Sequence, residues 1–118
     1  MYNRMVVRAP AEEALDQLFH ALADATRRDI VRRSVEGHLS VSRLAEGYPM
    51  SFAAVQKHVA VLERAGLVTK ERRGRQQLVR TDLDAVRRAR QALDQLEAAW
   101  RRRVDRMSAL LAQEGPGR

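Results

Sequence analysis

The feature that most constrains this chain lies near its end. There Leu83, Val86, Ala89, Leu93, Leu96, Trp100, Val104, Met107 and Leu111 recur every three or four residues, with no Gly or Pro until Gly115. That spacing predicts one helix over 82–114, of about 30 residues and on the order of 45 Å long. A rod of this length cannot bury its whole apolar stripe against so small a domain. Long periodicity of this kind requires a partner helix, and the simplest partner is a second copy of the chain. Leu93, Leu96, Trp100, Val104 and Met107, joined by Leu15 and Leu18 from the first helix, are the expected dimerisation residues.

Upstream, the punctuation is dense. Leu15, Leu18, Phe19 and Leu22 follow helical spacing after Pro10, so a first helix opens near Ala11, with Glu12 and Glu13 at its positive end. Asp24 can cap a second helix in which Ile30 and Val31 face inward. Its arginines Arg27, Arg28, Arg32 and Arg33 form a solvated face, and Gly37 stops it. Ser40 caps a short helix carrying Val41 and Leu44, ended by Gly47. After Tyr48 and Pro49, Ser51 caps a helix reaching Ala65, with Phe52, Val55, Val59 and Leu62 on one side and Gly66 as a left-handed stop. Two short helices joined by a Gly-Tyr-Pro turn have the form of a helix-turn-helix. Leu67–Arg73 and Gln76–Arg80 then read as two strands around Gly74-Arg75, a hairpin whose glycine allows positive φ. The fold class is therefore mainly α with a small β-hairpin: a winged helix-turn-helix over 11–80, followed by the long helix. Its 118 residues fit one domain, 1–118.

Composition agrees with helices. Aromatics are 4% of the chain while hydrophobic residues are 45%, so the core is built mostly of Leu, Val and Ala. Charge points to a partner. The net charge is +7, yet residues 1–49 balance to zero and residues 81–118 carry only +2, leaving +5 on residues 50–80. Such a concentration over the second half of the helix-turn-helix and the hairpin favours a polyanion, nucleic acid above all. Cysteine is absent from the chain, which removes disulfides, thiolate metal sites and thiol redox sensing. Met1–Pro10 does not read as a signal peptide and no segment is apolar enough to span a bilayer, so a soluble, cytoplasmic protein is expected. The tail Gly115–Arg118 is expected to be disordered.

Two segments carry a family resemblance. Leu22-Ala-Asp-Ala-Thr-Arg-Arg-Asp-Ile-Val resembles the second-helix signature of the arsenic-repressor (ArsR-type) winged-helix regulators. Met50-Ser-Phe-Ala-Ala-Val-Gln-Lys-His-Val-Ala-Val-Leu-Glu-Arg-Ala-Gly-Leu-Val is similar to that family's recognition helix and its turn into the wing. The resemblance covers about residues 12–82, and the long last helix with Trp100 before basic residues is similar to a subgroup without metal-binding cysteines. It implies a homodimeric repressor on double-stranded DNA with a pseudo-palindromic operator. Ser51 would cap the recognition helix and touch phosphate. Ala53, Ala54, Gln56, Lys57 and His58 would face the major groove, and Arg73, Gly74 and Arg75 would form the wing tip. Gln56 stands where the family usually has Ser, and Gln can bond an adenine edge bidentately while Ser cannot.

Other chemistry is poorly supported. His58 lies two residues after Gln56 and off the apolar stripe, which favours DNA contact over a core or capping role. His20 and His38 read as ordinary surface or packing residues. Asp94, Glu97 and Asp105 lack a helical His beside them, so salt bridges to Arg90, Arg101 or Arg102 are expected rather than a metal site. No phosphate-cradling Gly-rich loop, G-x-S-x-G or H-E-x-x-H occurs, so neither enzyme activity nor a cofactor is expected. The competing reading is a winged-helix module that binds a protein partner, or nucleic acid without specificity, inside a larger complex. The residues name neither an operator nor an effector.

Overall fold

The computed structural model describes residues 10–113, so the expectations for the segment before Pro10 and for the tail Gly115–Arg118 lie outside the described residues. Helix α1 (Pro10–Leu22) and helix α2 (Ala25–Arg33) lead into a short strand, β1 (Leu39–Ser40), and helix α3 (Val41–Ala45). Helix α4 (Phe52–Arg64) follows, then strands β2 (Val68–Arg73) and β3 (Gln76–Thr81), and finally helix α5 (Leu83–Gln113). This is a winged helix-turn-helix, mainly helical, with a small sheet. Two details depart from expectation. The hairpin belongs to a three-stranded antiparallel sheet of order β1-β3-β2, because Leu39 and Ser40 pair with Val79 and Leu78. Two residues are too few to show any period. Helix α2 ends at Arg33, not Gly37: its C-cap Ser34 leaves helical geometry at φ −98° and ψ 8°, its N–H donating to Ile30 O and Val31 O.

Local chemistry sets the other boundaries. The Asp24 carboxylate accepts from the Arg27 N–H at 3.0 Å, and the Ser40 and Ser51 hydroxyls accept from the Arg43 and Ala54 N–H groups, each at 3.1 Å. Each cap stabilises its helix start by about 1 kcal/mol. At the end of α4, Gly66 sits at φ +80°. Its N–H reaches Glu63 O at 3.0 Å and the Leu67 N–H reaches Leu62 O at 2.9 Å, the paired closing bonds that a left-handed residue permits. Gly74 supplies φ +61° at the hairpin turn.

The core draws on all five helices and on β2 and β3: Leu18 and Ala21, Ile30, Val41 and Leu44, then Val55, Val59 and Leu62, and finally Val68, Val79 and Ala85. Burying each Val or Leu contributes about 1.5–3 kcal/mol. Strand β3 is stitched to α2 by Thr81, whose hydroxyl donates to Val31 O at 2.6 Å and whose N–H donates to Ser34 O at 2.9 Å.

Three residues sit elsewhere than their spacing suggests. Leu18 is 1% exposed, inside the core of its own chain, so it is not available to a second copy; Leu15, one turn earlier, is only partly buried. Phe52 is 47% exposed because the first turn of α4 overhangs the edge of the core. On α5 the core contacts are Ala85 and Ala89 rather than Leu83.

Beyond the stretch beside α1, which ends at Leu96, α5 leaves the rest of the fold. The radius of gyration is 20.8 Å, against about 13 Å for a compact chain of this size. Leu93, Leu96, Trp100, Val104, Met107, Leu110 and Leu111 are all exposed along it. No helix among the described residues is long and apolar enough to cross a membrane.

Candidate nucleic-acid interface

Helix α4 is held from behind and open in front. Val55, Val59 and Leu62 are 0–1% exposed, so the helix cannot roll without emptying the core. On the opposite side Ala53 and Lys57 form one column at i, i+4, and Phe52 and Gln56 form the next, on the flank between that side and the core; all four are exposed. Ser51 is exposed at the helix start, its hydroxyl occupied as a cap. Ala54 is half-buried and sits at the margin of this face. Gln56 and Lys57 are thus polar groups carried on a rigid base, the arrangement that reading base edges requires. Phe52 is an addition. Its spacing with Val55 and Val59 mimics a core position, and only its place in the first helical turn could have signalled otherwise.

The wing is settled by strand register. Val68 pairs with Thr81, Lys70 with Val79 and Arg72 with Gln77, so these residues share one face of the sheet. That face looks toward α4, because Val68, Val79 and Thr81 are buried there and Lys70 Nζ lies 3.4 Å from Glu63 Oε1 of α4. Arg72 therefore stands on the recognition-helix side, its Nε donating to Gly74 O at 3.2 Å. Arg73 pairs with Gln76 on the other face and is bound to Glu71 at 3.2 Å, which offsets its charge. Gly74 and Arg75 occupy the exposed tip. Counting alternate residues from the buried Val68 places Arg72, and not Arg73, on the face toward α4.

Two networks behind the turn hold this face in place, and both use arginines expected to be solvated. Arg33 donates to Leu44 O at 3.3 Å and lies over the Tyr48 ring at 5.3 Å. The Tyr48 hydroxyl in turn donates to Asp29 at 2.6 Å. This hydrogen bond, with a second from Arg32, holds the Asp29 carboxyl below the usual carboxylate range. Burial, and then the bond to Asp29, push the Tyr48 phenol above its ordinary value. The loop between α3 and α4 is thereby fastened to α2.

The second network involves His58. Its ring is half-buried against α2, with Nδ1 3.2 Å from Arg27 Nη1 and 3.9 Å from Asp24 Oδ2. The structure thus engages His58 with its own chain, where its spacing suggested the groove-facing side. Asp24 is itself held below the usual carboxylate range, chiefly by the Arg27 backbone N–H. His20 is exposed and His38 pairs with Glu36 at 3.5 Å. On α5, Glu97 is bound by Arg101 at 3.0 Å. Among the described residues, no three His, Asp or Glu side chains stand close enough to share a metal ion.

Comparison with known proteins places these features in a family. No family model matches the chain. Over 100 residues it is 36% identical to the HTH-type transcriptional regulator Rv2034 of Mycobacterium tuberculosis, an alignment covering 85% of this chain and 91% of that protein. It is 40% identical over 67 residues to an uncharacterized HTH-type regulator of Bacillus subtilis, YuzN, covering 51% of this chain and 73% of that one. Among solved structures, an ArsR-like transcriptional regulator from Rhodococcus sp. RHA1 superposes with a TM-score of 0.76 at 28% identity, covering 86% of this chain and 96% of its own. The homodimeric winged helix-turn-helix DNA-binding domain of Mb0332 from Mycobacterium bovis, a possible ArsR-family regulator, superposes at 0.63 with 25% identity, covering 84% and 91%. Together with the helix-turn-helix, the wing and the long last helix, these likenesses establish that the chain belongs to the ArsR family of winged helix-turn-helix transcriptional regulators.

Proposed function

We propose that this chain is a homodimeric repressor that binds a pseudo-palindromic DNA operator sequence-specifically, with residues 11–80 as the reading unit and α5 as the dimerisation helix. The observation that carries the proposal is α4: its rear is locked by Val55, Val59 and Leu62 while Gln56 and Lys57 project from the front. Gln56 reads a base edge with Lys57 beside it in the groove, and Arg72 and Arg75 meet phosphates, with Ser51 and Ala53 at the backbone approach and Phe52 available to a thymine methyl group. Ala54 and Gly74 line the contact without supplying charge.

The dimer follows from α5. Trp100 is 65% exposed and Leu96 66%, an apolar surface that a soluble regulator covers. A groove lined by Leu15, Phe19, Ala92 and Leu96 runs between α1 and α5 and receives part of the second copy. Two-fold symmetry then presents two recognition helices to half-sites about 34 Å apart, one helical turn of DNA. The Mb0332 relative, a homodimer, supports this assembly.

A gel shift with the gene's own upstream DNA, in excess non-specific competitor, tests the proposal. A discrete complex that survives competitor is expected. Equal binding to scrambled duplex would instead favour a non-specific nucleic-acid module.

A further inference from the structure

The end of α1, the start of α2 and the middle of α4 meet at one side chain. Helix α1 leaves its last carbonyls without intrahelical donors, as every helix does. Arg27 takes two of them: Nε donates to Ala21 O at 2.7 Å and Nη2 to His20 O at 3.2 Å. Arg28 Nη1 takes the next, Leu22 O, at 2.8 Å. The remaining arm of Arg27, Nη1, reaches His58 Nδ1 on α4 at 3.2 Å. A guanidinium has only donors, so Nδ1 accepts and the imidazole carries its proton on Nε2. Helix α1 in turn packs on α5. Resting on the DNA-binding reading above, we propose that Arg27 is a positioning residue: it latches the recognition helix, through His58 Nδ1, to the end of α1 and so to the dimerising helices.

Val55, Val59 and Leu62 seat α4 by packing, which carries no directional bond of its own. A guanidinium fork bonded to two backbone carbonyls and one ring nitrogen adds a directional restraint on the position of α4 along its axis. In a dimer, a shift of either α4 along its axis changes the register of its readers against the half-site. The latch therefore acts on operator recognition and not on phosphate attraction.

Bond counting separates this role from direct DNA contact by His58. Nδ1 stands two bonds from Cβ, as does the Oδ1 of asparagine; Nε2 stands three bonds from Cβ, as does the Oε1 of glutamine. His58→Asn keeps an acceptor where Arg27 donates, His58→Gln keeps one at the outer position, and His58→Leu keeps neither. Each variant, with Arg27→Lys, is assayed as full chain on operator and on scrambled duplex, and α4 amide hydrogen exchange is followed without DNA. His58→Asn is expected to stay within about threefold of wild type on operator. His58→Gln, His58→Leu and Arg27→Lys are expected to lose about tenfold or more, with scrambled-DNA affinity unchanged. Combining Arg27→Lys with His58→Leu should add little to either change alone. The exchange rates of α4 amides should rise in the same three variants and not in His58→Asn.

Retention by His58→Gln with loss in His58→Asn would make His58 a DNA reader and overturn the latch. Retention by all three His58 variants, with unchanged exchange, would overturn it equally. If Arg27→Lys does not fold, the His58 series decides alone. If wild type does not distinguish operator from scrambled DNA, the repressor reading fails, while the exchange data still decide whether the latch holds α4.

Discussion

Helices α4 and α5 are both amphipathic, and the sequence marks both stripes clearly, yet their fates differ. The stripe of α4 is sealed inside its own chain, with Val55, Val59 and Leu62 at most 1% exposed. The stripe of α5 is sealed only at Ala85 and Ala89, and the seven large residues from Leu93 to Leu111 are 39–68% exposed. The difference lies in what surrounds them. Helix α4 is 13 residues long and is enclosed by α1, α2, α3 and β2, whereas α5 is 31 residues long and outruns the small domain it springs from. The same pattern of residues therefore stabilises a fold in one place and leaves an apolar face exposed in the other.

The largest expected effects test that contrast directly. Leu62→Ala opens a cavity in a closed core and should cost about 2–5 kcal/mol of folding stability, read by denaturant titration. Trp100→Ala removes a side chain that the single chain does not bury. It should leave the helical content unchanged while weakening dimerisation about tenfold or more, read by sedimentation over a concentration series. The contrast breaks if the intact chain sediments as a monomer at micromolar concentration. It also breaks if Trp100→Ala unfolds the chain as Leu62→Ala does.

The two helices also differ in what their wet faces offer. Gln56→Ala should cost on the order of 1–3 kcal/mol on operator and leave the slope of log K against log salt nearly unchanged, because it removes a base contact and not a phosphate contact. Arg72→Ala and Arg75→Ala should each flatten that slope by about one per lost contact, hence about two per dimer, on operator and scrambled DNA alike. Arg73→Ala should flatten it less, since Arg73 lies on the far face with Glu71. None of these changes should alter the monomer–dimer equilibrium. A salt series on both duplexes decides the ranking, and a larger slope change for Arg73 than for Arg72 would overturn the assignment by register.

What was legible in the sequence follows from how far each signal travels along the chain. Asp24, Ser40 and Ser51 were readable as caps because a cap bonds an N–H three residues on, and Gly66 was readable because positive φ excludes most other residues. The α5 stripe was readable because it repeats many times. Contacts between distant segments were hidden. Arg27 and His58 are 31 positions apart, Arg33 and Leu44 11, and no spacing rule joins a guanidinium to a carbonyl on another helix. A helical period puts Leu18 with the dimer residues and Phe52 with the core, because it names a stripe without saying where the neighbouring elements end. Strand β1 was missed because two residues carry no period.

A smaller effect tests how firmly the entry to α4 is held. Tyr48→Phe removes the phenol that donates to Asp29 at 2.6 Å and keeps the ring under Arg33. The loss at neutral pH should be about 0.5–1.5 kcal/mol. Its pH dependence has a definite sign. The folded Asp29 carboxyl sits below its ordinary value because of that hydrogen bond, so the stabilisation is complete above about pH 4 and fades as acid protonates Asp29 in the folded state. The wild-type and Tyr48→Phe stability curves should converge below pH 4. Curves that stay parallel into acid would show that the phenol acts without Asp29.

The smallest expected effect concerns thiophilic metals, and it bears on what α5 is for. Zinc, cadmium and arsenite bind soft or imidazole ligands most tightly, and this chain has no cysteine and three histidines. Each histidine is placed away from the exposed stripe: His20 on α1, His38 beside Glu36, and His58 against Arg27. On α5, Asp84 is held by Arg87 and Glu97 by Arg101, and a carboxylate held by a guanidinium is a weaker ligand than a free one. Helix α5 is therefore expected to join two chains without sensing a metal. Titrating Zn²⁺, Cd²⁺ or arsenite against the protein–operator complex should leave affinity within about threefold. A reproducible tenfold loss, about 1.4 kcal/mol of coupling, would mean that dimerisation assembles a site from two copies that one copy lacks.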